Sequence, residues 1–208
     1  MELFESYAER PAEKSATKPV SILQAYRGHR FEIPSAAEMS QTSFDNFWFP
    51  EELSPWYYLS SYSELSVDIR KRYNQLYALG TNEVFAIFEA EFISHILLKK
   101  ISNNHNIDPV FKKVVKSFCD EELKHAEMFH RLNKIADSIL YSGSNIALSR
   151  QANPLGLFVL YLMKKLPDLF GAWIWLSFFL EERSLVYSKY YLLDRNQHLN
   201  SSFRMVHK

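Results

Sequence analysis

The chain has little cysteine, little glycine and no excess of either charge, and each shortage narrows what the protein can be. Cys119 is the single cysteine among 208 residues, so no disulfide can form within the chain. This fits a reducing compartment, and we predict a cytoplasmic location. The 24 basic residues balance the 24 acidic ones, so no basic excess points to a nucleic-acid partner.

Long apolar runs are also missing. The longest uncharged apolar run covers residues 169–180, which is twelve residues, whereas a membrane span needs roughly 18 to 20. Asp168 precedes this run and Glu181 follows it, which predicts a buried helix in preference to a membrane segment. The N-terminus carries Glu2 and Glu5 and lacks an apolar core, so it does not resemble a secretory signal.

Hydrophobic residues make up 47% of the chain and aromatic residues 15%, enough for one domain with a substantial core. No segment shows a convincing strand alternation, and glycine is scarce, so the pattern predicts an all-α fold. Residues 1–43 are polar and contain Pro11, Pro19 and Pro34, which predicts an irregular N-terminal arm. Residues 44–208 are predicted to form a helical bundle, with the aromatic segment 44–62 lying across it.

Capping and breaking residues divide the bundle into helices. The first predicted helix begins at Ser63 or Ser66 and ends near Leu79, because Gly80 allows a break. The second covers about 82–101. Asp108 is the predicted N-cap of a third helix that has Pro109 at its first position and runs to about residue 141. Further helices are predicted from about 153 to 166, from 168 to 193, and after Ser201 or Ser202.

Glu122 and His125 carry the strongest chemical signal. Residues three apart share one face of a helix. In a bundle that face is directed at neighbouring helices, where a carboxylate beside an imidazole can bind iron or manganese. The pattern predicts a metal site that includes Glu122 and His125.

The preceding helix offers Glu89 and Glu91 as partners. A short loop makes the two helices antiparallel neighbours. Glu89 lies 13 residues before Ser102, and Glu122 lies 13 residues after Pro109, so at about 1.5 Å per residue both carboxylates reach the same height. Glu91 is about 3 Å lower by the same rule. The two cannot both face inward, and the height match favours Glu89.

Two further positions complete the candidate ligand set. Glu181 and Glu182 follow the apolar run of the long C-terminal helix, and a buried carboxylate is costly unless it is paired or bound to metal. His207 is the remaining candidate, near the end of the sequence. Four further histidines are interpreted as surface or core residues: His95, His105, His130 and His198.

Three segments resemble the p-aminobenzoate N-oxygenase-like family of non-haem diiron oxygenases. They are FWFPEEL at 47–53, FEAEFISHIL at 88–97 and CDEELKHAE at 119–127. The resemblance covers roughly residues 44–208 and implies a ferritin-like bundle that binds two irons. It implies metal ligands at Glu89, Glu122, His125, Glu182 and His207, with Glu181 as the alternative to Glu182.

The family's second Glu-x-x-His motif has no match at the C-terminal end of this sequence. In the family, the histidine matched by His207 is followed four residues later by the glutamate of a second Glu-x-x-His motif. Only Lys208 follows His207 here. We therefore expect a bundle that is incomplete at its C-terminus, either as part of a longer protein or as a relative that has lost the motif.

The implied function is activation of O2 by a dinuclear iron cofactor, with manganese as the alternative metal, to oxidise a small organic substrate such as an arylamine. The expected partners are O2 and the substrate, with a homodimer as a candidate assembly. The first alternative is an incomplete bundle that acts as a binding or interaction module without metal chemistry. The second is a membrane-surface protein, because Lys164 and Lys165 interrupt an apolar segment and could anchor it at an interface.

Overall fold

The computed structural model describes residues 32–39, 45–90, 97–102, 106–149, 158–159, 161–162, 165–166 and 169–207. Helices dominate, and no strand occurs in these ranges, which confirms the all-α prediction. Most of the predicted N-terminal arm lies outside the described residues. The described part of the arm contains a short helix, α1 (Ala36–Met39), whose Met39 is fully buried.

The first long helix, α2 (Val67–Ile87), begins where one of the two predicted caps stands. Ser66 is the N-cap, and its hydroxyl accepts a hydrogen bond from the Ile69 amide at 3.4 Å. The predicted break at Gly80 is wrong, because α2 continues through it. Leu79 and Asn82 on either side are fully buried, and this packing outweighs the cost of about 1 kcal/mol that glycine imposes in a helix.

After Ile87 the helix changes from α-helical to π-helical geometry. Residues 88–90 form a π-helical turn, and a short helix, α3 (Leu98–Ser102), ends this half of the pair. The predicted second helix over 82–101 is therefore partly the end of α2 and partly α3. Its residues 91–96 lie outside the described ranges.

Helix α4 (Pro109–Ala136) begins as predicted. The Asp108 carboxylate accepts hydrogen bonds from the amides of Val110 at 2.6 Å and Phe111 at 3.2 Å. The helix ends five residues before the predicted residue 141, because Asp137 leaves the helical conformation. The Asp137 carboxylate accepts a hydrogen bond from the Leu140 amide at 3.0 Å, a local turn that competes with the helix.

Helices α2 and α4 pack in antiparallel orientation; the prediction concerned the helix over 82–101, of which residues 82–87 belong to α2. Arg72, early in α2, pairs with Asp137 just after α4 at 3.3 Å. In the middle of the pair, the Asn82 side-chain amide donates to Asn133 at 2.9 Å. Residues later in α2 therefore contact residues earlier in the sequence of α4.

The aromatic segment contacts three helices through buried groups, as expected for a segment that crosses the bundle. It contains three 3-10 turns, Glu51–Leu53, Pro55–Tyr58 and Ser60–Glu64. The amides of Trp48 and Phe49 donate to the Asn74 side chain at 2.8 and 3.0 Å. Trp48 is also stacked on Phe203, and its carbonyl accepts a hydrogen bond from the Tyr191 hydroxyl at 2.9 Å.

The last two helices are α5 (Phe170–Leu192) and α6 (Ser201–Val206). Part of α5 packs on a small core that includes Phe88, Val115 and Cys119. The prediction of a buried helix is wrong for the opposite face, since Trp175 is 68% exposed and Phe179 is 70% exposed.

The cap of α6 also differs from the sequence prediction by one residue. Asn200, and neither Ser201 nor Ser202, is the N-cap, and it accepts from the Ser202 and Phe203 amides. Within the predicted helix over 153–166, the described residues 158, 159, 161, 162 and 165 are helical. Among the described helices, none combines the length and the hydropathy that a transmembrane span requires.

Candidate metal centre

The antiparallel pairing of α2 and α4 brings three predicted ligands together. Glu122 and His125 lie on one face of α4, and Glu89 lies in the π-helical turn that follows α2. One donor atom from each of the three residues lies within 4.8 Å of the other two. Nδ1 of His125 lies 3.6 Å from Oε2 of Glu122. Such spacing is compatible with shared coordination of one ion.

The position of Glu89 depends on local backbone geometry. π-helical turns are rare, and they occur frequently at functional sites. The extra residue in such a turn changes which side chains face the neighbouring helix. In this chain the turn lies at residues 88–90 and includes Glu89, which is directed toward α4. The alternative ligand, Glu91, lies outside the described residues.

The electrostatics of the group are unfavourable in the absence of a cation. Burial is the main reason why the pKa of Glu89 is raised well above its ordinary value, and the negative charges of Glu122 and Glu181 raise it further. Glu122 itself is only 8% exposed. Carboxylates held together in a poorly solvated place resist ionisation unless a positive charge joins them.

A fourth carboxylate approaches from α5. Burial also raises the pKa of Glu181, the charge of Glu122 adds to this, and His125 acts in the opposite direction. Glu181 is exposed as a residue, and its donor atoms are not among those that lie within 4.8 Å of one another.

The structure favours Glu181 as the α5 ligand, whereas the resemblance implied Glu182. Glu182 is exposed, and it is not among the charges that act on Glu89 or Glu181. Consecutive helical residues differ in direction by about 100°, so only one of the two can face the cluster. The coupling favours Glu181 as the member contributed by α5.

His207 does not join this group. Its ring is stacked on Tyr191 with centroids 4.7 Å apart, and it also contacts the rings of Phe85 and Phe129. Nε2 of His207 lies 2.8 Å from Oδ1 of Asn82. Burial lowers the pKa of His207 to about 3, so the ring is neutral near pH 7. Since the amide oxygen can only accept, we assign the imidazole proton to Nε2.

The other histidines divide between described and undescribed positions. His95 and His105 lie outside the described residues. His198 is exposed, and its Nδ1 lies 2.8 Å from the Arg195 carbonyl oxygen. His130 is partly buried, and burial lowers its pKa. The interpretation of these two as surface and core residues agrees with their burial.

A buried polar network beside the cluster was not anticipated from the sequence. The Glu83 carboxylate is fully buried and accepts hydrogen bonds from the backbone amides of residues 147, 148 and 149. The Tyr141 hydroxyl donates to Glu83 at 2.7 Å, and Asn133 donates to that hydroxyl at 3.2 Å. Adjacent polar residues inside a helix, such as Asn82 and Glu83, were the available signal, but they do not identify a loop as the partner.

The donor set suits a first-row divalent metal. Carboxylate oxygens with one imidazole nitrogen are ligands that iron and manganese accept, and zinc accepts the same atoms. Glu89, Glu122 and His125 supply three donors for one ion. Glu181 lies outside this 4.8 Å group, although its charge acts on Glu89. A second ion would need ligands beyond these four residues. No model of a known protein family, no curated protein and no solved structure matches this chain.

Proposed function

We propose that the chain is a non-haem diiron oxygenase with a ferritin-like bundle, and that Glu89, Glu122, His125 and Glu181 are its metal ligands. The observation that carries the proposal is the convergence of the Glu89, Glu122 and His125 donor atoms within 4.8 Å. The Glu-x-x-His motif and the glutamate on the antiparallel partner are the features by which the sequence resembles that family. Iron is the proposed metal, with manganese as the alternative.

The residues of the chain have defined parts in this proposal. Glu122 and His125 are fixed by α4, a 28-residue helix whose first turn is capped by Asp108. Glu89 and Glu181 bring further negative charge from two other segments. A bound divalent cation would offset the repulsion among these carboxylates, and it would supply the redox chemistry that activates O2. The protein would provide the ligands and a site with restricted access to water.

Metal analysis tests the site directly. We would purify the protein from iron-supplemented cells and measure iron, manganese and zinc by plasma mass spectrometry, for the wild type, Glu122→Ala and His125→Ala. Glu127→Ala is the matched control, because Glu127 lies on the same helix but pairs with Arg131 at 2.7 Å. We expect one or two metal ions per chain in the wild type and the control, and none in the two ligand variants.

The possible results distinguish metal binding from oxygenase activity. Unchanged metal content in either ligand variant would show that these residues do not bind the ion. Stoichiometric metal without O2 consumption by the ferrous protein would retain the site and reject the oxygenase. Two irons per chain would require donors beyond the four named here, and these could come from residues 91–96 or from a second chain.

An interaction module without metal chemistry is the second candidate function. The observation in its favour is the exposed face of α5, where Trp175, Phe178 and Phe179 are each at least 59% exposed. Contiguous exposed aromatic groups mark contact surfaces in many soluble proteins. Sedimentation analysis would reveal a homodimer, and co-sedimentation with anionic vesicles would test the membrane-surface alternative.

A further inference from the structure

A half-open cavity of about 400 Å³ lies between α2, α5 and residues 148–149, and none of the proposed metal ligands lines it. Its volume is in the range of small-molecule sites, which is roughly 300 to 1,000 Å³. Most of its wall is hydrocarbon, and the residues used in this argument are Leu76, Tyr77, Val84, Leu180, Arg183 and Tyr187. Apolar walls with a few convergent polar groups are typical of ligand sites.

Arg183 is the charged group of this cavity. Its Nε donates a hydrogen bond to the Tyr187 hydroxyl at 2.5 Å, and its guanidinium lies 5.3 Å from the centre of the Tyr187 ring. Tyr77 is a second polar neighbour. Among the described residues, no carboxylate lies within ion-pair distance of Arg183. The guanidinium is therefore positioned by neutral phenols, and its positive charge is not neutralised by them.

The direction of the cavity follows from helix geometry. Arg183 and Glu181 are two residues apart on α5, a rotation of about 200° around the helix axis, so they point to nearly opposite sides. An anion at Arg183 would thus lie on the opposite side of the helix from the acidic cluster. Leu180 and Val84 supply apolar wall beyond the guanidinium. A ligand that matches this wall has one charged end and a hydrocarbon body.

We propose that this cavity binds a small apolar monocarboxylate, with its carboxylate on Arg183 and its hydrocarbon body against Leu76, Val84 and Leu180. A guanidinium matches a carboxylate with two parallel hydrogen bonds. One cation without further positive groups balances a single negative charge, which favours a carboxylate over a phosphate dianion. The inference goes beyond the proposed oxygenase, since binding in this cavity requires no metal.

Calorimetry on the metal-free wild-type protein gives the first test. Chelator-treated protein would be titrated with octanoate and with octan-1-ol, which share a chain but differ in charge. We expect octanoate to bind at least tenfold more tightly than the alcohol. Equal affinities, or no binding of either compound below millimolar concentration, would overturn the proposal. Benzoate in place of octanoate distinguishes a preference for a ring from a preference for a chain.

Two variants then locate the binding. Arg183→Gln should weaken octanoate binding at least tenfold and leave octan-1-ol unchanged, while Val84→Trp should weaken both by filling the cavity. Lys189→Gln is the matched control, an exposed cation on the same helix that does not line the cavity. Octanoate binding that survives Arg183→Gln undiminished would remove Arg183 from the site. The wild-type comparison stands even if a variant fails to fold, and the result is independent of metal content.

Discussion

Glu89 and Glu122 face each other from antiparallel segments, and the imidazole of His125 completes a group whose donor atoms lie within 4.8 Å. The arrangement is costly for a metal-free protein. Burial and the neighbouring carboxylates raise the pKa of Glu89, which means that its ionised form is disfavoured in the folded state. The Glu89 carboxylate should therefore favour metal binding and lower the stability of the metal-free protein.

The first prediction concerns Glu89→Gln. The amide cannot ionise, so the metal-free variant avoids the cost that raises the pKa of Glu89, and it should be more stable than the wild type at pH 7. The same variant should lose metal, because an amide is a poor ligand for the ion. Urea unfolding after chelation measures the first effect, and plasma mass spectrometry measures the second.

A matched substitution controls for general effects of removing charge. Glu64→Gln changes an exposed carboxylate in a 3-10 turn and should alter neither quantity. If Glu89→Gln were less stable than the wild type without metal, the carboxylate would be satisfied by other contacts, and the opposition between stability and binding would be wrong.

Sequence reasoning located the helix pair and its facing residues because these depend on local rules. Ser66 and Asp108 cap their helices through side-chain oxygens, as their residue types predict. A short connection forces antiparallel packing, and the rise per residue then places Glu89 opposite Glu122. None of these steps requires knowledge of distant contacts.

Features that depend on tertiary packing were mispredicted or left open. Gly80 stays helical because its neighbours are buried, which a propensity scale does not register. Asn200 rather than Ser201 caps α6, since any of the adjacent polar residues satisfies the local pattern. The rotation of α5 decides between Glu181 and Glu182, and periodicity in a helix that is apolar on several sides carries no such information.

The second prediction concerns the buried carboxylate of Glu83. Burial alone would raise its pKa, but hydrogen bonds from the amides of residues 147–149 and from Tyr141 outweigh burial and lower the pKa below 4.5. Stability from this group is therefore present above about pH 4.5 and is lost as the pH falls through the folded-state pKa. Glu83→Gln should cost about 2 to 3 kcal/mol at pH 7, because charge-assisted hydrogen bonds are lost.

Urea unfolding of the wild type and Glu83→Gln across pH 3 to 7 checks this prediction. The difference between the two free energies of unfolding should shrink as the pH falls, since the variant cannot titrate at this position. A difference that stays constant with pH would mean that the charge of Glu83 contributes nothing to stability beyond what a neutral side chain of the same shape provides.

The third prediction concerns Asn74, which fixes the aromatic segment to α2. Its side chain accepts hydrogen bonds from two amides and donates to the Phe49 carbonyl at 2.7 Å. Asn74→Ala leaves buried polar groups without partners, so it should destabilise the protein by about 3 kcal/mol. Asn145→Ala, at an exposed position, is the control. Near-ultraviolet dichroism should show loss of order around the buried Trp48 ring at lower urea concentration in the Asn74 variant.

The fourth prediction separates two adjacent glutamates. Glu181 is coupled electrostatically to Glu122 and His125, whereas Glu182 is not among the charges that act on Glu89 or Glu181. Each of Glu181→Gln and Glu182→Gln removes one negative charge from the same turn of α5, so the pair is matched in long-range electrostatics. Only the first should weaken binding of Fe(II) or Mn(II), and a tenfold loss is the expected minimum when one charged ligand is removed.

Competition of each variant with a fluorescent chelator measures these affinities on metal-free protein. Equal affinities for both variants would show that α5 supplies no ligand and that the carboxylate of Glu181 affects the site only through its charge. A loss confined to Glu182→Gln would show that α5 is rotated by about 100° relative to the described orientation when metal is bound. A loss confined to Glu181→Gln would establish that three separate segments converge on one ion, which is the feature that a helical bundle needs to hold a catalytic metal in its interior.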